Sequence, residues 1–578
     1  MRKIYSLKNK YFSLVCVTLA SSFWVGPVYA QEERAAQVEK LRVTSHTGIL
    51  PAEGKLYPQT TLMQTPGFPA PTMHTQKAYP VEGGFTARWT RADALQIKAA
   101  SNPNAAFRKS SLPKQWTMPN VPEDFPTTNP DVWIWDTWTL IDKTAHQFSY
   151  NGWEVIFALV ADRNAGFEFE QRHWHARIGY FYRRANIKTN RRPSNGGWIY
   201  GGHLIPEGSQ DKLYLPGSYN ALSQWSGSSR LIDAKDNKVS LFYTSMAFNR
   251  DSNGNYTTAP NAIIVQSIGN IHADFNHVWF TGFTNHTPLL TPDGLMYQNG
   301  QQNKLFNFRD PFTFEDPKHP GKNYMLFEGN SPRPANSASC SEADLGFRPG
   351  EQNGEALKTV LASGAAYSRA SIGLAVADNK DLSKWHFLKP IITANCVNDQ
   401  TERPQLYLKD GKYYIFTISH RTTYAPGVDG PDGLYGFVGD GIRSDFAPLN
   451  GGGLVIGTPT NLNVLQGSDD NPYFLQDPHA FQSYAAYVMP NGLIESFIQS
   501  VGSRMGGSLA PTVRININAA EATTDYSYGN KGIGGYGDIS ANEADINQIR
   551  FYQDLMSKGI KIDDEVLQKT KNFLGIVY

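Results

Sequence analysis

Val132-Trp-Ile-Trp-Asp-Thr-Trp138 crowds three tryptophans around one carboxylate, and Trp153-Glu-Val-Ile-Phe-Ala-Leu-Val160 follows it as an apolar run. The second segment is rich in β-branched and aromatic residues and short enough for a buried strand. The same signature recurs at Ile178–Tyr182, Val239–Tyr243, Ala262–Val265, Tyr324–Phe327, Ile372–Val376, Tyr413–Thr417 and Leu493–Ile498. Turn residues lie between these runs. Lys409-Asp-Gly-Lys412 reads as a hairpin, because Asp-Gly supplies the positive φ angles of a two-residue turn, and Pro490-Asn-Gly492 reads similarly. Neither alternating βαβ units nor long amphipathic helices interrupt the series, so the chain reads as all-β. No exact repeat is present, and from periodicity alone a propeller and a sandwich assembly fit nearly equally.

The flanks read differently. Arg2, Lys3, Lys8 and Lys10 precede an apolar run from Phe12 to Val25, which ends at Val28-Tyr29-Ala30. This is the pattern of a secretory leader cleaved after Ala30, leaving Gln31 first. The alternative, an uncleaved anchor, needs about 20 apolar residues, and the run is shorter. Residues 31–130 read as an irregular arm with one short helix at Arg91–Ala100, capped by Thr90 with Asp93 three residues on. The strand-rich body spans 131–540, and 541–578 reads as a C-terminal arm with a helix near Glu565–Phe573.

The leader holds four basic residues and no acids, so its removal takes the net charge from +1 to −3. Such a near-neutral body carries no basic face for nucleic acid or anionic lipid and suits an uncharged substrate. Aromatics make up 12% of the residues and charges only 18%, which favours stacking surfaces for sugar rings. Cys16 leaves with the leader. In an oxidising compartment, Cys340 and Cys396 suggest one disulfide, the alternative being two separate buried thiols.

Three acids stand out by their neighbours. Asp136, among its tryptophans, reads as a nucleophile in a sugar pocket or as an edge residue of an aromatic strand. Asp310, in Phe308-Arg-Asp-Pro311, reads as a carboxylate kept ionised by Arg309 or as an ordinary turn. Glu402, in Asp399-Gln-Thr-Glu-Arg-Pro-Gln405, reads as a general acid at a strand end or as a loop ion pair with Arg403. Glycoside chemistry needs two carboxyl groups astride the scissile bond, one ionised and one protonated. Three acidic motifs on separate strand clusters are what a propeller axis would gather.

Trp-Asp-Thr-Trp, Arg-Asp-Pro and Thr-Glu-Arg-Pro, in this order, resemble the motifs of the bacterial levansucrases and inulosucrases, glycoside hydrolase family 68. Trp225-Ser-Gly-Ser228 resembles a fourth. The resemblance runs from about Trp133 to Gly502 and implies a five-bladed β-propeller with an axial active site. It implies a secreted enzyme that splits sucrose by retaining double displacement and passes fructose to fructan, sucrose or water. It assigns Asp136 as nucleophile, Glu402 as general acid/base and Asp310 as transition-state stabiliser. Trp135, Trp225 and Ser226 would line the fructosyl pocket, with Ser226 bonded to the nucleophile. Arg309 and Arg403 would position the two sugars, and Glu328, His420 and Tyr484 match as outer-pocket residues. His420 stands where many Gram-positive members carry arginine, a departure typical of Gram-negative members. Asp399 matches one ligand of the calcium ion some members bind, but the rest of that set is not evident, so no metal or other cofactor is expected.

Two rivals remain. An invertase-like hydrolase on the same fold would show Asn-Asp-Pro and Glu-Cys, where this chain has Trp-Asp-Thr and Glu-Arg-Pro. A non-catalytic carbohydrate-binding propeller would need no paired acids. There is no His-Glu-x-x-His zinc motif and no phosphate loop, and Gly451-Gly-Gly453 reads as a flexible turn.

Overall fold

The computed structural model describes residues 69–539 apart from 148, 186–191, 234–236, 253–255, 305, 333–339, 352, 465–476 and 490–491. The leader, the arm up to residue 68, the C-terminal helix and most of the Pro490 turn lie outside the described residues. Among those described, no helix is long and apolar enough to cross a membrane.

The described part of the arm, residues 69–130, is mainly irregular. It holds strand β1 (Ala87–Arg88) and helix α1 (Arg91–Ala99), which ends one residue before the expected boundary. Thr90 and Asp93 form the expected reciprocal cap: Thr90 Oγ1 accepts the Asp93 N–H at 3.2 Å, and Asp93 Oδ2 accepts the Thr90 N–H at 3.0 Å.

The remaining strands form antiparallel meanders. The first is β2 (Val132–Ile141), β3 (Trp153–Asp162), β4 (Arg177–Arg184) and β5 (Ile199–His203). The second is β6 (Ala221–Asp233), β7 (Lys238–Phe248), β8 (Asn261–Ala273) and β9 (Val278–Leu290). The third is β10 (Phe308–Glu315), β11 (Asn323–Asn330), β12 (Arg369–Ala377) and β13 (Trp385–Asn395), with β1 added in parallel at its outer edge. Two short helices, α2 (Glu342–Leu345) and α3 (Gly354–Ala362), fill the insertion between β11 and β12. The fourth is β14 (Glu402–Lys409), β15 (Lys412–Ser419) and β16 (Gly433–Gly439), with β17 (Ala447–Pro448) and β18 (Leu454–Gly457) both paired to β16. The fifth is β19 (Ala486–Val488), β20 (Leu493–Val501), β21 (Arg504–Leu509), β22 (Val513–Asn518) and β23 (Glu521–Thr524).

The all-β reading holds. Hydrogen bonding alone counts four sheets, because the first two meanders are fused by a short parallel pairing of Leu140 with Ser229 and Ile141 with Arg230. The inner strands adjoin in turn. β2 lies beside β6, β6 beside β10, β10 beside β14 and β14 beside β19, while β20 returns to β2. Strands such as β3, β7 and β15 are buried almost end to end, which explains their continuous apolar runs. The Asp410-Gly411 hairpin forms as expected, with φ of 50° and 74°.

Candidate active site

The first strand of each of four successive meanders carries one of the four sequence motifs, and each strand breaks register there. The shifts fall between Trp135 and Trp138 in β2, Trp225 and Gly227 in β6, Arg309 and Phe312 in β10, and Glu402 and Gln405 in β14. A bulge bends the strand and re-aims one side chain. Three non-glycine residues at these bulges adopt positive φ: Asp136 at 45°, Asp310 at 62° and Arg403 at 48°. Left-handed backbone costs a non-glycine residue on the order of 1 kcal/mol and concentrates at functional sites.

The bulges turn Asp136, Asp310 and Glu402 into one pocket. Trp135, Trp225, Arg309, His420 and Tyr484 also line it, as expected. Leu159, Arg172, His173, Phe497 and Gln499 line it too and were not singled out by sequence. Arg172 and His173 sit on a 3-10 turn, Phe169–His175, just before β4. The basic-aromatic run Arg172-His-Trp-His175 at a strand entrance was the signal available for them.

The three acids are held differently. Asp310 is tied at both oxygens: Ser226 Oγ donates to Oδ1 at 2.6 Å, and the Arg403 N–H donates to Oδ2 at 3.1 Å. Glu402 receives one bond on Oε1, from Arg309 Nη2. Among the described residues, none hydrogen-bonds to the carboxylate of Asp136. Burial raises the pKa of Asp136; Arg403 opposes the rise and the nearby Glu402 adds to it. Burial likewise pushes Asp310 up to about 7, Arg309 pulling it down and the charges of Glu402 and Asp136 pushing it up.

Several expected roles are placed elsewhere. Ser226 gives its proton to Asp310 rather than to Asp136, because its strand lies next to β10 and its hydroxyl faces that neighbour. Arg403 turns its Nη2 to the Thr137 carbonyl and does not line the pocket. Glu328 is fully buried behind the wall, with Oε2 at 2.7 Å from Arg309 Nε, and burial drives its pKa well up. Arg309 therefore braces two carboxyl groups, Glu402 and Glu328, while its Cζ lies 5.7 Å from the centroid of the Trp225 ring.

In the pocket lining, His420 stacks on Tyr484 with ring centroids 3.5 Å apart, and its Nδ1 lies 3.1 Å from Asp432 Oδ2. Burial and the charge of Arg172 hold the His173 pKa far below its usual value, so that imidazole is neutral. Cys340 and Cys396 are bonded to each other, as one of the two cysteine readings expects. Near them, Asp399 accepts the Arg369 N–H at 3.4 Å. Among the described residues, no cluster of His, Cys, Asp and Glu has the makings of a metal site.

Comparison with known proteins places the chain in a family. The family model described as Levansucrase/Invertase, glycoside hydrolase family 68, matches residues 79–540. A levansucrase from Gluconacetobacter diazotrophicus is 63% identical over 521 residues, 90% of this chain and 89% of that protein. A crystal structure of levansucrase from that organism matches with a TM-score of 0.79 and 65% identity, covering 82% of this chain and 96% of that one. The catalytic domain of a β-fructofuranosidase from Microbacterium saccharophilum K-1 matches with a TM-score of 0.78 and 52% identity, over 82% and 97% of the two chains. An extracellular sucrase from Zymomonas mobilis is 38% identical over 451 residues, 76% of this chain and 94% of that protein. With its motif residues drawn into one pocket and its sequence matched over most of its length, the chain belongs to glycoside hydrolase family 68, the levansucrase/invertase family.

Proposed function

We propose that this chain is a secreted fructosyltransferase of the levansucrase type, acting on sucrose by retaining double displacement. The observation that carries the reading is the set of three acids around one pocket, each in a different hydrogen-bonding state. The uncommitted carboxylate, Asp136, is the nucleophile and attacks the anomeric carbon of the fructosyl unit. Glu402, held on one oxygen by Arg309, gives its proton to the departing glucosyl oxygen. As a carboxylate it then takes a proton from the incoming acceptor, fructan, sucrose or water, whose oxygen attacks the anomeric carbon and breaks its bond to Asp136. Asp310, fixed at both oxygens, is pre-aimed at the hydroxyls of the oxocarbenium-like fructosyl unit, where fixed polar groups count most. The apolar faces of Trp135 and Trp225 carry the sugar rings.

The inner strands are read as those of five blades around the pocket axis, bounded by an arm over 31–130 and another over 541–578. The protein is read as exported, with cleavage after Ala30. The disulfide supports this, since such bonds belong to oxidising compartments, and so does the Zymomonas relative's description as extracellular.

A sucrose digest with the purified mature chain tests the reaction, scoring free glucose and free fructose separately. Glucose well above fructose, with the difference recovered as oligomer or levan, is the expected result. Equal amounts would make the chain a hydrolase, the reading favoured by its likeness to the Microbacterium β-fructofuranosidase. Asp136→Ala and Glu402→Ala should each lose nearly all glucose release while staying folded. Near-normal turnover in either would remove that residue from the mechanism.

A further inference from the structure

Directly after the proposed nucleophile comes Thr137, fully buried and tethered twice. Its Oγ1 donates to Glu495 Oε2 at 2.5 Å, and its carbonyl accepts from Arg403 Nη2. Glu495 lies on β20, the strand that packs beside β2, and is itself wholly buried outside the pocket lining. Among the described residues the Thr137 hydroxyl is its hydrogen-bond partner, and the Arg403 charge acts on it from nearby. Its other oxygen, Oε1, finds no partner among the described residues. Burial pushes its pKa up to about 8, with the Thr137 bond and the Arg403 charge pulling the other way. An apolar residue of similar volume would pack this position at no such cost, since a buried carboxyl group is commonly a net loss in stability.

The bond it makes, however, falls on the bulge that aims Asp136. That aspartate has a left-handed backbone and, among the described residues, no hydrogen-bond partner for its carboxylate. Its direction therefore depends on how firmly Thr137 is pinned. We propose that Glu495 is a positioning residue for the nucleophile: through the Thr137 hydroxyl it locks the β2 bulge that points Asp136 into the pocket. This rests on the reading of Asp136 as nucleophile.

The test measures kcat and KM for glucose release from sucrose, which counts every first step whatever the acceptor. Thr137→Val and Glu495→Leu each break the tether, and misaiming a reacting atom by an ångström costs up to about 100-fold, so each should lower kcat about 10- to 100-fold. KM should stay within about two-fold of the parent, because the sugar-binding walls are untouched. The double variant should be no slower than the worse single, the signature of one shared interaction. Thr137→Ser and Glu495→Gln keep a donor and an acceptor and should restore kcat to within about three-fold of the parent. Should Glu495→Leu fail to fold, Thr137→Val, which exchanges one hydroxyl for a methyl, decides alone. A normal kcat in folded Thr137→Val, a loss lodged in KM, or losses that multiply in the double variant would each overturn the proposal. An unmodified chain that left sucrose intact would instead overturn the assignment of Asp136, and this inference with it.

Discussion

Asp310 shows how a site residue can oppose the fold that carries it. Its carboxyl group is buried, its pKa is pushed up to about 7, and its backbone sits at φ 62°. The folded chain therefore holds that proton more tightly than the unfolded chain, whose aspartate ionises near its ordinary value of about 3.9. Between those two values the folded state binds more protons, so this group's contribution to stability falls as pH rises and is lost once pH passes about 7. Asp310→Asn removes the ionisation and keeps an acceptor for Ser226. It should abolish turnover yet melt higher than the parent at pH 7.5, by about 2–4 °C for a chain this long. The gain should shrink toward pH 4. Asparagine also tolerates left-handed backbone, but that benefit is independent of pH, so thermal melts across pH separate the two effects. A pH-independent difference would mean that the raised pKa is not what destabilises the parent. The acids themselves were legible in sequence through their neighbours. Their hydrogen-bond partners were not, because which oxygen receives which donor depends on strands more than 80 residues apart, as with Ser226 and Asp310.

The strands that build the site are also the hardest to read. Runs such as Tyr324–Phe327 and Tyr413–Thr417 all fall inside observed strands, because strands buried on both faces need uninterrupted apolar residues. β6, β10 and β14 gave little or no such signal. Pro311, Pro404, Gly227 and the acids Asp310 and Glu402 interrupt them, and those interruptions are the bulges. The same residues that spoil the strand pattern make the pocket. Gly227 shows the constraint most directly. A Cβ there would stand 1.9 Å from the Phe242 carbonyl oxygen and 2.9 Å from the Tyr243 Cα, both backbone atoms with no rotamer to yield. Gly227→Ala must push β6 away from β7 one residue beyond Ser226. Overpacking of this kind costs about 1–3 kcal/mol, and here it should also draw Ser226 off Asp310. The expected outcome is a lower urea midpoint together with a fall in kcat. A folded Gly227→Ala variant with parental kcat would show that the Ser226–Asp310 bond survives movement of the bulge, or that catalysis does not need it.

At the scale of the whole molecule, the first and last meanders meet through contacts that no local pattern can announce. β20 meets β2 although some 350 residues separate them in sequence, which is why periodicity left propeller and sandwich open while the ordered motifs implied the propeller. The insertion between β11 and β12 carries no long amphipathic pattern, since α2 and α3 are only four and nine residues long. That insertion is pinned by Cys340–Cys396, which joins a residue two positions before α2 to the residue just after β13. Cys396 is further fixed where its carbonyl accepts Arg91 Nη1 from the arm at 2.9 Å. Six residues later comes Glu402. The disulfide thus ties the arm, the insertion and the approach to β14 at one point, yet touches none of the pocket walls. Removing it frees a 56-residue separation in the unfolded chain, worth about 4 kcal/mol by loop-closure entropy. Cys340→Ala/Cys396→Ala should therefore unfold at a clearly lower urea concentration while keeping kcat near the parent's at 25 °C. Reductant should lower the midpoint of the parent by a similar amount and leave that of the double variant unchanged. If reductant shifts neither protein, the bond contributes nothing to stability. If the double variant instead loses kcat while its midpoint holds, the staple acts on the placement of Glu402 rather than on the fold.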